Sequence, residues 1–221
     1  MDLWHITWFT VATAALSTVL MLPPGLLLAW ALARGRFRGR VLLETLVSLP
    51  LVMPPVATGL MLLMLVAPRG PIGRLLAGMG IDVVFTWKAV VLAMTVMGLP
   101  LFVRTVRAGI EQVDRRFEDV ASTLGARPLR VFVTITLPLA TPAILAGSVL
   151  GFARAIGEFG ATIMIAGSIP GATRTLAVAI YSLAETGRDA EAMTLVAVSA
   201  GIAAAALWLS NHMSARAGVR V

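Results

Sequence analysis

The chain has 221 residues, of which 58% are hydrophobic and only 13% are charged. A soluble domain carries about 25% charged residues, so this composition excludes an ordinary soluble protein and indicates a membrane protein. The net charge of +7 would suggest nucleic-acid binding in a soluble protein, but the arginines lie at the ends of apolar runs, where they orient membrane spans. Nucleic acid is therefore not expected as a partner, and membrane lipid is.

The first apolar run, residues 6 to 33, predicts the first membrane span. Its 28 residues carry no charge, and about 20 apolar residues are enough for a helix to cross the hydrocarbon core. The sequence Pro23-Pro24-Gly25 lies inside the run and predicts a kink or a break, because proline lacks the backbone N–H that a helix needs. Four arginines between residues 34 and 40 follow and predict a cytoplasmic loop.

The second run, Thr45 to Pro68, has 24 uncharged residues and contains Pro50, Pro54 and Pro55. Two interpretations remain open. The run is either a broken helix, of the kind that persists where other protein or a water-filled cavity satisfies the freed backbone, or a helix that begins only after Pro55. Residues 69 to 86 are predicted to form an outer loop.

The third span is the shortest, because only Ala89 to Val103 is free of charge. Fifteen residues reach about 22 Å, so the charged residues at both ends are expected to extend their side chains to the membrane surface. Gly98 and Pro100 predict another break.

A long polar stretch, residues 107 to 130, interrupts the apolar sequence. Within it, four apolar residues recur at the spacing that places them on one face of a short helix. They are Phe117, Val120, Ala121 and Leu124. Asp114 can cap the start of this helix and Gly125 can close its end in the left-handed conformation. Such a helix either lies on lipid headgroups or docks into a groove of another protein, and the small apolar face without tryptophan favours the groove.

The same stretch carries a resemblance to a known family. The residues Asp119-Val120-Ala121-Ser122-Thr123-Leu124-Gly125 are followed, after nine residues, by Ile135-Thr136-Leu137-Pro138. This resembles the EAA loop of binding-protein-dependent ABC importer permeases, which reads Glu-Ala-Ala, three residues, Gly, nine residues, Ile-x-Leu-Pro. Asp119 stands where the family has Glu, and Val120 stands where it has the first Ala.

The resemblance implies that residues 114–126 form a cytoplasmic coupling helix, which sits in a cleft of the ATP-hydrolysing subunit and transmits its movement to the membrane. The residues expected to couple to the ATPase are Glu118, Asp119, Ala121, Leu124 and Gly125. Because Asp is one methylene shorter than Glu, the basic partner of Asp119 is not defined by the resemblance.

The fourth run, Val131 to Ala153, is followed at once by Arg154 and Glu158. At this spacing the two side chains can pair if the segment is helical. Ionisable residues within a span commonly mark a transport pathway. Alternatively, this possible intramembrane pair only neutralises itself or lies at the interface with a second subunit, and for Arg154 the nearby partner favours that alternative.

The remaining sequence predicts an outer segment and a last span. Residues 175 to 184 are apolar but too few to cross, which favours a re-entrant or surface helix. The last span runs from Ala192 to about Met213 and is followed by Arg216 and Arg220. With five spans and the amino terminus outside, twelve basic residues lie inside and five outside, as the positive-inside rule requires. The carboxyl terminus is then cytoplasmic, in a multi-pass protein of the cytoplasmic (inner) membrane.

Several kinds of chemistry are excluded by the residues themselves. A P-loop requires Gly-Lys-Ser/Thr, but the only lysine is Lys88, between Trp87 and Ala89. Active transport would therefore need a separate ATPase, and the chain is not expected to be an enzyme. There is no cysteine, and the two histidines lie at opposite ends, so neither a metal site nor a cofactor is expected.

Two further segments, residues 152–162 and 169–181, resemble molybdate permeases of the ABC importer class. The resemblance implies an all-α polytopic fold of the type I importer class, with residues 1–221 as a single transmembrane domain and a core at about 8–212. It also implies two permease copies, two ATPase subunits, an extracytoplasmic molybdate-binding protein and alternating access at the homodimer axis. Tungstate or sulfate is the alternative substrate, and a secondary transporter or channel is the competing class.

Overall fold

The computed structural model describes residues 3–216, without the side chains of residues 209–216. This part of the chain is helical and contains no strand. Its elements, in order, are α1 (Leu3–Arg34), α2 (Arg40–Val52), α3 (Pro55–Val66), α4 (Pro71–Gly78), α5 (Trp87–Gln112), α6 (Arg115–Thr123), α7 (Pro128–Val131), the π-helix π1 (Phe132–Thr136), α8 (Leu137–Leu139), α9 (Thr141–Ile156), α10 (Gly160–Ala166), α11 (Leu176–Glu185) and α12 (Asp189–Arg216).

Three of these helices, α1, α5 and α12, are long and apolar enough to cross a membrane. Two bent pairs can each form one further span. α2 and α3 meet at 114°, and the segment Pro128–Leu139 meets α9 at 73°. The protein is thus an all-α polytopic membrane protein with three to five spans, which agrees with the predicted five.

Of the kink or break predicted in the first span, the break is wrong, because α1 continues through Pro23 and Pro24 as one helix, and the kink stays a prediction. Gly25 serves a packing role instead. A Cβ placed on Gly25 would come within 2.4 Å of the Phe102 ring of α5, so only glycine lets the two helices approach this closely.

The predicted break in the third span is also wrong. α5 is continuous through Gly98 and Pro100, and it extends to Gln112, so it is longer than its uncharged part. Gly98 again marks a close approach, since a Cβ at this position would lie 3.3 Å from the Gly151 carbonyl oxygen of α9. α5 packs against both α1 and α9 and forms the centre of the fold. Its largest fully buried side chains are Met94, Met97, Phe102 and Ile110.

For the second run, the structure supports the broken helix. α2 already begins at Arg40, passes through Pro50 and ends at Val52, and α3 starts at Pro55 after a sharp turn at residues 53–54. A helix that begins only after Pro55 is therefore ruled out. α2 buries none of its residues within this chain.

α3 packs tightly against α10. A Cβ on Gly59 of α3 would lie 2.7 Å from the Ala161 Cα, and one on Gly160 would lie 2.7 Å from the Pro55 Cβ. The two helices therefore approach each other too closely to admit a Cβ on either glycine, and we call this contact the α3–α10 seam.

The predicted outer segments contain two short helices. α4 lies within the predicted loop of residues 69–86. α11 has ten residues and is anchored to α1, because the Leu176 N–H donates to the Thr10 Oγ1 at 2.9 Å. Its helical character is confirmed, while the choice between a re-entrant and a surface helix stays open. Arg220 and the carboxyl terminus, predicted to be cytoplasmic, lie outside the described residues.

Candidate functional site

The helix within the polar stretch has the caps that its sequence predicts. At the start of α6, the Asp114 Oδ1 accepts from the Arg116 N–H at 2.9 Å. At the end, Gly125 has a φ of +84°, and the Ala126 N–H donates to the Ala121 carbonyl at 3.0 Å. This hydrogen bond, with Gly125 in the left-handed region, is a Schellman closure. α6 and its caps lie inside the predicted range 114–126.

The apolar face of α6 points away from the rest of the chain. Phe117 and Val120 are 58% and 60% exposed, and Leu124 is 83% exposed, while Ala121 is half-buried. The charged residues Arg116 and Asp119, one of each sign, are also exposed. An apolar cluster of this kind, rimmed by charge and left uncovered by the described part of the chain, is typical of a surface that binds another protein.

A cavity of about 550 Å³ opens beside this surface, between the end of α5, the start of α6 and the start of α9. Phe117 lines it together with Gly109, Asp114 and Ala143. Mostly small and apolar residues therefore surround an open space next to the exposed phenyl ring.

Glu118 does not join the exposed face. Its Oε1 accepts from the Arg34 Nε at 3.1 Å and from the Thr136 Oγ1 at 2.8 Å. The Arg34 Nη2 also donates to the Val113 carbonyl at 2.8 Å. The side chains of Arg34 and Glu118 are only 11% and 17% exposed. Of the predicted coupling residues, Glu118 is therefore turned toward the membrane-spanning helices, and Asp119 and Leu124 are turned outward.

Sequence reasoning missed this contact between Glu118 and Arg34, which lie 84 positions apart. The sequence pattern assigns Arg34 only to the cationic loop, and nothing in its local surroundings points to Glu118. Thr136, in contrast, lies inside the Ile-Thr-Leu-Pro segment that carries the family resemblance, and the polar residue among apolar neighbours was an available signal.

Arg154 and Glu158 form the predicted pair, with 2.6 Å between the Arg154 Nη1 and the Glu158 Oε2. The pair does not lie in a single helix, because α9 ends at Ile156 and α10 begins at Gly160. Glu158 is 1% exposed, and its Oε1 accepts from the Ala161 N–H at 2.7 Å. This arrangement supports mutual neutralisation across the helix break, and a pathway role for the pair stays a prediction.

Metal chemistry has no visible basis in the part of the chain that the structure describes. Among residues 3–208, whose side chains the structure describes, there is no group of three His, Cys, Asp or Glu residues that could hold a metal ion.

Comparison with known proteins identifies the family. Residues 21–217 match the model of the binding-protein-dependent transport system inner membrane component. The chain is 44% identical to the molybdenum transport system permease protein ModB of Escherichia coli (strain K12), over 97% of this chain and 96% of the relative. It is 38% identical to the sulfate transport system permease protein CysT of Salmonella typhimurium, over 89% of this chain and 71% of the relative.

Solved structures agree on the fold. A bacterial ABC transporter that imports alginate matches with a TM-score of 0.75 and 20% identity, over 98% of this chain and 80% of that chain. A second structure of an alginate ABC transporter, in complex with its alginate-bound periplasmic protein, matches with a TM-score of 0.72 and 20% identity, over 96% of this chain and 78% of that chain. The MetNI methionine ABC transporter matches with a TM-score of 0.71 and 19% identity, over 99% of this chain and 96% of that chain.

At these low identities the structures establish the fold alone, which is that of type I ABC importer transmembrane domains. The family model covers most of the chain, and the match to the molybdenum permease of Escherichia coli spans nearly all of it. The chain therefore belongs to the binding-protein-dependent transport system inner membrane components, a family of transporter permeases rather than catalytic enzymes, and within it resembles the molybdenum permeases.

Proposed function

We propose that this chain is the permease subunit of an ATP-driven importer that moves molybdate across the cytoplasmic membrane. The observation that carries the proposal is α6, a capped helix with an uncovered apolar face, in a chain without the lysine that a P-loop requires. Such a chain needs an external source of free energy, and α6 is the surface through which an ATPase subunit would supply it.

The mechanism that fits these features is alternating access. Two permease copies enclose the pathway at their two-fold axis, and each receives one ATPase subunit on its α6. Closure of the ATPase pair on ATP moves both α6 helices and changes the side from which the pathway is open. In support, no α2 residue is fully buried within this chain, and most α12 residues between positions 189 and 208 are exposed or half-buried. These surfaces are available to a second copy and to lipid.

The substrate assignment rests on the relatives. The extensive match to a molybdenum permease favours molybdate, and an extracytoplasmic molybdate-binding protein would deliver it to the outer loops. The sulfate permease at 38% identity keeps a related oxyanion, sulfate or tungstate, as the second candidate. Both candidates are tetrahedral dianions, and both need N–H donors, hydroxyls or arginine along their route. A secondary transporter or channel is disfavoured, since neither would need a docking helix.

The test is uptake of labelled molybdate in cells that carry the permease, the ATPase and the binding protein together. Uptake is expected to require all three and to stop when the P-loop lysine of the ATPase is replaced. Unlabelled molybdate, sulfate or tungstate is added separately in excess, and the extent to which each inhibits uptake of labelled molybdate ranks the preference of the transporter for the three oxyanions. Concentrative uptake by the purified permease alone in liposomes would contradict the proposal.

Reversal of charge at Asp119 tests the exposed rim of the docking surface. Asp119→Arg is expected to weaken association with the ATPase by about 1 kcal/mol or more, because a carboxylate that meets a basic partner becomes a like charge. The measurement is co-purification of the two subunits at low and high salt. Since Asp82 is also an exposed acid but lies before α5, at the opposite end of that helix from α6, Asp82→Arg serves as a control. Unchanged co-purification of Asp119→Arg would remove Asp119 from the contact.

The closure of α6 at Gly125 provides a second test. Gly125→Val forces a β-branched residue to a φ of +84°, at a cost of about 1–2 kcal/mol. No neighbour lies within 4 Å of a Cβ placed at this position, so the effect is purely on the backbone. We expect Gly125→Val to lower molybdate uptake, whereas Gly125→Asn, which tolerates the left-handed region, retains more of it. Equal uptake by the two variants would argue against a role for the helix end.

A further inference from the structure

Three parts of the chain converge on the Glu118 carboxylate. Arg34 is the last residue of α1, Thr136 is the last residue of π1, and Glu118 lies in the first turn of α6. Arg34 also donates to the carbonyl of Val113, where α5 ends. One carboxylate and one guanidinium therefore connect α6 to the ends of α1, α5 and π1.

This cluster, which we call the Glu118 anchor (Arg34, Glu118 and Thr136), is shielded from water. Thr136 is 1% exposed, and the two charged side chains are mostly buried. Hydrogen bonds to an ionised group are stronger than neutral ones, and exclusion of water strengthens them further. The adjacent rings of Trp30 and Phe132, with centroids 5.1 Å apart, add a contact between α1 and π1. α6 is therefore fixed to the packed ends of α1, α5 and π1, and is not connected to the fold by its loops alone.

We propose that Glu118 is a positioning residue, which ties α6 to the transmembrane helices and carries the movement of a docked ATPase into α1 and π1. It is not itself a docking contact. The inference rests on the proposed function and deepens it, because it assigns different roles to the neighbouring residues Glu118 and Asp119. Asp119 faces outward to the partner, and Glu118 faces inward to the helices that must move.

The path beyond the anchor is also defined. π1 continues through α8 to the 73° bend, after which α9 packs along the central helix α5. A displacement of α6 transmitted through Thr136 therefore enters the bent fourth span, while the same displacement transmitted through Arg34 enters the end of α1.

The test compares two variants in the assembled transporter with its ATPase and binding protein. Glu118→Gln removes the charge of the anchor, and Thr136→Val removes one of its hydrogen-bond donors with little change of shape. Each variant is measured for co-purification with the ATPase, for ATP hydrolysis and for molybdate transported per ATP hydrolysed. We expect co-purification and hydrolysis to persist while the transported amount per ATP falls about tenfold, as the loss of a charge-assisted hydrogen bond would allow.

Thr136→Val is the decisive variant, because a side chain that is 1% exposed cannot touch a docked partner. If Glu118 were a docking contact, Thr136→Val would leave the transport ratio unchanged, and that result would overturn the proposal even if Glu118→Gln failed to assemble. Wild-type protein without ATP-dependent uptake would instead contradict the proposed function, so the two failures are distinguishable.

A covalent substitute for the anchor gives an independent readout. The chain contains no cysteine, so Glu118→Cys combined with Thr136→Cys introduces its only thiol pair, and a cysteine-free ATPase completes the assembly. Cross-linking this pair with a short thiol-reactive reagent is expected to restore the transport ratio lost in the double variant. A ratio that stays low after complete cross-linking would show that mechanical attachment is not what Glu118 provides.

Discussion

Leu124→Asp is expected to abolish stable association of the chain with its ATPase. Leu124 is 83% exposed at the end of the α6 apolar face, so its replacement does not disturb the core of the permease. A charged side chain buried against an apolar groove lacks both water and a partner, and truncation of a central interface residue already costs about 2 kcal/mol or more, which is roughly thirtyfold in affinity. The measurement is the dissociation constant of the detergent-solubilised permease and ATPase.

The matched control is Ser122→Asp, which adds the same charge to the same helix. At about 100° per residue, positions 122 and 124 lie on opposite sides of α6, and Ser122 is also exposed. The control leaves the apolar face intact and is therefore expected to bind the ATPase much more tightly than Leu124→Asp does. If both variants bound equally well, the apolar face of α6 would not be the docking surface.

Gly25→Val is expected to destabilise the folded chain strongly. The added Cβ would lie 2.4 Å from the Cδ1 and 2.6 Å from the Cε1 of Phe102, a side chain with 0% exposure. Because the phenyl ring cannot move aside within a packed core, we expect a loss of about 3 kcal/mol in the free energy of unfolding. Thermal unfolding of the purified permease in detergent measures it.

Two further variants separate overpacking from other effects of valine. Gly201 also lies in a long helix, α12, but a Cβ there meets nothing within 4 Å, so Gly201→Val is expected to change stability by less than about 0.5 kcal/mol. The double variant Gly25→Val with Phe102→Ala removes the obstructing ring. Its destabilisation is expected to be smaller than the sum of the two single losses, and strict additivity would contradict the clash.

The caps and the apolar face of α6 could be predicted from the sequence because they depend on local spacing. Asp114 and Gly125 act within a few residues of their own positions, and the face follows from helical periodicity. The membrane class and the approximate number of spans were also predictable, since run length and hydrophobicity determine them.

The helix breaks could not be predicted in the same way. Proline removes one backbone N–H group, but it does not by itself determine whether the helix continues. α1 is continuous through Pro23 and Pro24, which are both exposed within this chain, whereas the turn at residues 53–54 separates α2 from α3. The inward orientation of Glu118 could not be predicted for a related reason. Its partner Arg34 is distant in sequence, and helical periodicity does not say which side of α6 faces the rest of the fold.

The α3–α10 seam limits how this protein can change shape. Where Gly59 meets Ala161 and Gly160 meets Pro55, the helices leave no room for a glycine Cβ between them, so neither helix can slide or rotate without collision. α3 and α10 are therefore expected to travel as one rigid block. Any bending must then occur at the two hinges of the block, which are the turn at residues 53–54 and the short connection at residues 157–159. Two spin labels placed within the block should keep their separation during transport, whereas two labels on either side of a hinge should not.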